Sequence, residues 1–202
     1  MTRQKVAAII LAAGGSSRLG RPKQLLDWFG KPFVKHMVDL THQLKLEPVV
    51  VVTGAGYQEV EDVIKDEKIL IAHNEGWQNG QSSSMKVGCK ALENQQMDAL
   101  IIFLCDQPQV PQELIEKMLQ EAKNEEVDIV TTSVLGKICP PTLFKSKCIE
   151  GIMSLQGDQG GRVLLNRYNT HKIEWQDDRL LQDTDTEEDY LKLISLYNKY
   201  FV

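Results

Sequence analysis

A surplus of positive charge is missing from this 202-residue chain: 23 Lys and Arg stand against 28 Asp and Glu, for a net charge of -5. A broad cationic surface that neutralises many nucleic-acid phosphates is therefore disfavoured. A small phosphorylated ligand remains open, because a few local donors suffice for it. Paired cysteines are missing too. Cys89, Cys105, Cys139 and Cys148 form no CxxC, which argues against a zinc ribbon or disulfide framework and predicts four reduced thiols in a cytoplasmic protein. No stretch approaches the ~20 apolar residues of a membrane span. The apolar run after the basic N-terminal start is short and leads directly into SSRLGRPK, so it reads as a buried first strand and not as a signal peptide. Repeats, low-complexity tracts and long Pro/Gly/Ser linkers are absent. Residues 1–202 are accordingly expected to form one domain, and 42% hydrophobic residues are enough for a proper core.

What is present is alternation. Short β-rich apolar runs occur at Val6 to Leu11, Val49 to Thr53, Ile69 to Ala72, Ala99 to Leu104 and Ile129 to Val134. Between them, Phe33 to Leu46, Tyr57 to Lys65, Ser83 to Glu93 and Gln112 to Asn124 carry helical apolar spacing, the last opened by Pro111. The order predicts an α/β fold, an α/β/α sandwich around a mostly parallel, Rossmann-like sheet. Thr184 to Tyr197 reads as a closing helix, with its TDTEED acids at the end that the helix dipole favours for negative charge.

The strongest chemical signal is LAAGGSSRLGRPKQLL, Leu11 to Leu26, directly after the first strand. Ligands of such sheets bind at the carboxyl ends of strands. Leu11, Ala12, Ala13, Gly14 and Gly15 offer backbone N–H groups to phosphate oxygens, Ser16 and Ser17 add hydroxyls, and Arg18 and Lys23 add charge. Neither GxGxxG nor the GxxxxGK[ST] of P-loop ATPases occurs here. The missing GxGxxG also disfavours a dinucleotide-binding oxidoreductase.

A second signal is Asp106, which follows the apolar strand Ala99 to Leu104 in the segment CDQP. An acid there sits at the same sheet edge as the glycine loop. It suits Mg²⁺, which binds through one or two carboxylates plus substrate phosphates; the alternative is an Asp that caps the turn before Pro111. In HNEGWQNGQSSSMKVG, Gln81, Ser82 and Ser83 are candidate nucleotide contacts ahead of a helix, against the alternative of a single serine cap. Trp77 is read as a packing residue, His73 is given no role, and Cys139 has no base beside it to make it a nucleophile. In GDQGGR, Asp158 and Arg162 are suited to hold one another at a rim that accepts an anionic group, or simply to staple a turn.

These segments, in this order, resemble the MobA-like NTP transferase superfamily, and within it the MocA-like molybdenum cofactor cytidylyltransferases. LAAGGSSRLGRPKQLL is similar to LAAGxSxRxGxxKxL, CDQP to [CD]DQP, QDTDTEEDY to DIDTPEDY, and LQGDQGGR to LxGDxGxR. The resemblance implies a nucleotide-diphospho-sugar transferase-like fold and transfer of a nucleotide to a phosphorylated acceptor, a molybdopterin, with room for a molybdoenzyme partner. It implies Lys23, Arg18 and Asp106 as catalytic residues, Asp106 and Asp185 as Mg²⁺ ligands with Asp183 in support, and Asp158 and Arg162 at the acceptor. LAAG in place of the LAGG of guanylyl-transferring relatives implies CTP over GTP. Two positions depart from the pattern, Glu187 at a family proline and Cys139 at a family glycine, and the second bears on pterin specificity. A non-catalytic carrier of the molybdenum cofactor is the competing reading, disfavoured by retention of Lys23, Asp106 and Asp185.

Overall fold

The computed structural model describes residues 4–198, so the two ends of the expected 1–202 domain lie outside the described residues. The chain begins with β1 (Val6–Ala12), all seven residues of which are buried. Its side chains alternate, as the two-residue period of a strand requires. Val6, Ala8, Ile10 and Ala12 enter one hydrophobic cluster, while Ala7, Ile9 and Leu11 enter another on the opposite face. A strand apolar on both faces is one that layers must cover twice.

Next come the hairpin β2 (Asp27–Trp28) and β3 (Lys31–Pro32), α1 (Phe33–Gln43), β4 (Val49–Thr53), α2 (Tyr57–Ile64), β5 (Leu70–His73), α3 (Gln81–Ala91) and β6 (Ala99–Leu104). The second half holds α4 (Gln112–Glu121), β7 (Ile129–Val134), β8 (Lys137–Lys145), α5 (Ile149–Met153), β9 (Thr170–Glu174) and α6 (Glu187–Tyr197). Seven strands form one sheet in the order β5-β4-β1-β6-β8-β7-β9. Residues of α1, α2, α4 and α6 pack on one face, and those of α3 and α5 on the other. The expected sandwich of helices about a mostly parallel sheet is therefore the observed fold, with β8 antiparallel to both β6 and β7.

Two strands of the seven-stranded sheet escaped the apolar pattern, as did the short hairpin β2–β3. β8 carries Pro140 and Pro141, which cannot donate to a ladder, and the β7–β8 register shifts between Thr131 and Thr132 where they lie. β9 has one buried residue, Ile173, on the sheet edge. Among the helices, α1 stops at Gln43 instead of Leu46 because Lys45 takes a left-handed conformation, φ 55°. The Leu46 N–H then donates to the Thr41 carbonyl, and Leu44 and Leu46 both reach the core.

α3 approaches the sheet closely at Gly88, where a Cβ would lie 2.7 Å from Ile9 Cγ2 and 3.2 Å from Val52 Cγ2. Gly88→Ala is expected to cost about 1–3 kcal/mol by overpacking, read as a lower urea midpoint at unchanged slope. On the other face, His36 of α1 bonds through Nε2 to the Pro108 carbonyl, 3.0 Å. Burial pulls its pKa below the ordinary histidine value, and the Pro108 carbonyl and Asp39 offset this only in part. The neutral ring is thus favoured in the folded state, so its stabilisation is present above about pH 6.5 and is lost as the pH falls through the lowered folded-state value. We expect the melting temperature of His36→Gln to depend less on pH than that of the unmodified protein between pH 7 and 5; equal slopes would contradict this.

Candidate active site

Parallel pairing of β1 with β6 sets Leu11 opposite Leu104, and the Cys105 N–H donates to the Leu11 carbonyl, 3.1 Å. The glycine loop and Asp106 therefore leave the sheet side by side at its carboxyl edge, where α/β folds bind ligands. A crevice of about 410 Å³ opens there, within the size range of small-molecule sites. It is lined by Ala13, Gly14, Gly15 and Lys23 of the loop, by Asp106 beyond β6, and by Trp77, Gly80, Gln81 and Asp158.

Lys23 opens a short 3-10 turn, Lys23–Leu25, beyond Pro22. The Ser16 hydroxyl accepts its backbone N–H at 3.0 Å, and the side chain runs back toward the sheet. Lys23 Nζ lies 2.7 Å from Asp106 Oδ2 and 3.1 Å from Asp185 Oδ1. Arg18 holds the other oxygen of Asp185, Oδ2, at 2.7 Å. Burial alone would lower the Lys23 pKa, but the charge and hydrogen bond of Asp106, followed by those of Asp185, outweigh it and raise the pKa above the ordinary lysine value. At neutral pH the side chain is an ammonium. Asp183 makes none of these contacts; partial burial and then the charges of Asp185 and Asp106 raise its carboxyl above the usual range.

Asp106 and Asp185 are 79 residues apart, and two hydrogen bonds bring them together. The buried Thr184 donates through Oγ1 to the Asp106 carbonyl at 3.2 Å, and Gln109 Nε2 donates to the Gln182 carbonyl at 2.9 Å. The remaining tail acids serve the helix. Thr186 and Asp189 form a reciprocal capping box at the start of α6, and Glu187, at the family proline, takes a two-pronged bond from Arg21 at 2.9 and 2.8 Å. The dipole reading thus holds for the acids of the first turn, whereas Asp185 faces the lysine. The cap reading of Asp106 does not hold, since α4 has Pro111 at its N-cap with no side-chain cap.

Several expected contacts are placed otherwise. α3 starts at Gln81, two residues before the expected Ser83, and this turns the serines inward. Ser82 is buried and its N–H donates to the Gly157 carbonyl, 3.1 Å. Ser83 is spent on the carbonyls of Gly76 and Gly80, at 3.1 and 2.8 Å, and accepts from Asn74. Ser84 and Gln78 line the crevice in their place. Asp158 and Arg162 do not hold one another: Asp158 lies on the crevice, while Arg162 is exposed on the turn Gly161–Leu164, and no ion pair joins them among the described residues. Ser16 serves Lys23 and Ser17 is exposed. Trp77 packs as expected, its indole resting on Gly15, yet it also lines the crevice. Cys139 is buried, and burial pushes its thiol up to about 11, which fits the absence of a nucleophilic role.

Gln24 was not anticipated. Its buried Nε2 donates to the carbonyls of Ala12 and Gly14, at 2.8 and 2.9 Å, fixing the curl of the loop. No apolar period or charge marks such a residue, although its place beside Lys23 was a clue. Gly80 is required by its own backbone, φ 90°, and by its surroundings, because a Cβ there would collide with Gly157 and Asp158 Oδ1. That contact brings the GDQGGR segment against the crevice.

A donor-lined loop, a lysine between two carboxylates and a crevice at the carboxyl edge of a parallel sheet define an enzyme that handles phosphate esters. The chain belongs to the family of MobA-like NTP transferase domains, whose model matches residues 8–173, and is a nucleotidyltransferase. It is 28% identical over 192 residues to the purine catabolism protein PucB of Bacillus subtilis, covering 90% of this chain and 92% of that one. It is 29% identical over 197 residues to the probable molybdenum cofactor guanylyltransferase of Bacillus anthracis, at 93% and 95% coverage. Among solved structures, Rv0371c of Mycobacterium tuberculosis superposes with a TM-score of 0.82 at 21% identity, covering 96% of this chain and all of that one. A manganese complex of Rv0371c gives a TM-score of 0.76 at 18% identity, with 95% and 99% covered.

Proposed function

We propose that this protein transfers CMP from CTP to a phosphorylated acceptor of the molybdopterin class, with a divalent metal, Mg²⁺, bound by Asp106 and Asp185. The observation that carries the reading is the meeting of Lys23, Asp106 and Asp185 beside the glycine loop. Among the described residues no three His, Cys, Asp or Glu side chains cluster as a self-sufficient metal site. Two carboxylates, Asp106 on the crevice and Asp185 meeting it across Lys23, are nevertheless the donor set that Mg²⁺ uses when substrate phosphates complete its shell. Bound there, the ion would screen charge on the reacting phosphates.

The acceptor phosphate oxygen attacks the α-phosphorus of CTP, a new P–O bond forms, and the bond to the bridging oxygen breaks with release of pyrophosphate. Loop amides from Ala13 to Ser16 and the charges of Lys23 and Arg18 hold the triphosphate in line and take up the negative charge that builds on the leaving group. Gln24 keeps the loop curled to present those amides. Asp158, held at the crevice by Gly80, and Arg162 beyond it are the proposed acceptor contacts. Ala13, at the position of the glycine in guanylyl-transferring relatives, is buried beside the crevice, which supports the smaller pyrimidine as the base. GTP is the second reading, favoured by the likeness to the probable molybdenum cofactor guanylyltransferase of Bacillus anthracis.

Pyrophosphate release from CTP, GTP, UTP and ATP, each with Mg²⁺ and with or without molybdopterin, tests this. The expected result is acceptor-dependent release that is at least about tenfold faster with CTP, the discrimination that one methyl group in a pocket supplies. Fastest release with GTP would replace the donor, and no release from any triphosphate in the presence of acceptor would remove the proposal.

A further inference from the structure

We infer that in the free protein the Lys23 ammonium occupies the place of the metal between Asp106 and Asp185, so that a divalent cation enters only together with the nucleotide. The inference rests on the metal-dependent reading above. Lys23 engages Asp106 Oδ2 and Asp185 Oδ1, and Arg18 engages Asp185 Oδ2. Three of the four carboxylate oxygens are thereby committed to cations of the chain itself. The two acids in contact are each paired with a cation of the chain, with Asp183 close by, and a bare dication that approaches them meets an ammonium in its path.

The two cations differ in how firmly they are held. The Lys23 side chain is 15% exposed and bridges both acids, whereas that of Arg18 is 68% exposed and touches one. Release of the largely buried Lys23 ammonium from both carboxylates without a new partner is unfavourable. A triphosphate supplies that partner: its oxygens accept Lys23 and Arg18, and the carboxylates are then free for the cation that travels with it. The exchange conserves charge pairing at each step. It also makes Lys23 the residue that sets the order of binding, in addition to any role in transfer.

The test uses the full chain with Mn²⁺ as the probe, free Mn²⁺ being counted by electron paramagnetic resonance. Without nucleotide, Lys23→Gln is expected to bind Mn²⁺ at least ten times more tightly than the unmodified protein, with Arg18→Gln between the two. Addition of α,β-methylene-CTP to the unmodified protein should create a protein-bound Mn²⁺ signal that Asp106→Asn does not form. If the unmodified protein binds Mn²⁺ alone as tightly as Lys23→Gln, the inference is overturned while metal-dependent transfer stands. Should no protein-bound Mn²⁺ appear even with the CTP analogue, the metal reading itself falls. Circular dichroism checks that Lys23→Gln folds; if it does not, Arg18→Gln and the order of addition in the unmodified protein decide, with tight binding of Mn²⁺ before nucleotide again overturning the inference.

Discussion

Asp106→Ala is expected to lower kcat by at least about a hundredfold while changing nucleotide affinity by less than about tenfold. The asymmetry follows from where the side chain stands. Asp106 leaves the end of β6 next to the glycine loop, its Oδ2 is 2.7 Å from Lys23 Nζ, and the Thr184 hydroxyl grips its carbonyl. The loop amides and Arg18 that would hold the triphosphate come from other segments and survive the substitution. What is lost is one of two acids able to place a metal on the reacting phosphates, and an interaction of that kind is strongest in the transition state. Steady-state rates equal to those of the unmodified protein would remove Asp106 from the chemistry.

Lys23→Gln is expected to cost roughly a thousandfold in kcat/KM, the scale of truncating one member of a largely desolvated charge pair. Its loss should appear in both KM and kcat, because Lys23 serves the ground-state triphosphate as well as the departing pyrophosphate. Stability should fall too. The raised pKa of Lys23 marks a contribution that is present at and below neutral pH and fades only as the pH rises through its alkaline titration. Removal of the ammonium leaves Asp106 and Asp185 facing each other with Asp183 nearby. The melting temperature of Lys23→Gln should therefore recover when the pH is lowered into the carboxylate range. A variant as active as the unmodified protein would contradict the assignment.

The central strands were legible in the sequence because β1 and β6 are continuous apolar runs, β4 is four valines and a threonine, and β7 is rich in β-branched residues; burial on both faces is what makes them so. β8 was not, since its prolines sit at a register shift that no local pattern announces, and β9 was not, since a short edge strand needs to bury little. The site divides in the same way. Lys23 and Asp106 stood out as charges beside a glycine-rich loop and an apolar strand, Asp185 was marked only by the family resemblance of QDTDTEEDY, and the structure brings the three together. Gln24, Thr184 and Gln109 act through single hydrogen bonds to carbonyls far along the chain, and those partners are visible only once the fold is built. α3 begins two residues earlier than its sequence suggested, with the buried Ser82 bonded through its N–H to the Gly157 carbonyl and the partly buried Ser83 hydroxyl engaged by Gly76 and Gly80, contacts that no helix boundary read from sequence fixes.

The proposed site requires Asp106 and Asp185 to act as one unit with Lys23, and a double-mutant cycle measures that directly. The kcat of Asp106→Asn, Asp185→Asn and the combined variant should be strongly non-additive, the pair costing little more than the worse single change, as for residues that share one step. If the two losses simply multiply, the carboxylates work apart and the proposed site is contradicted.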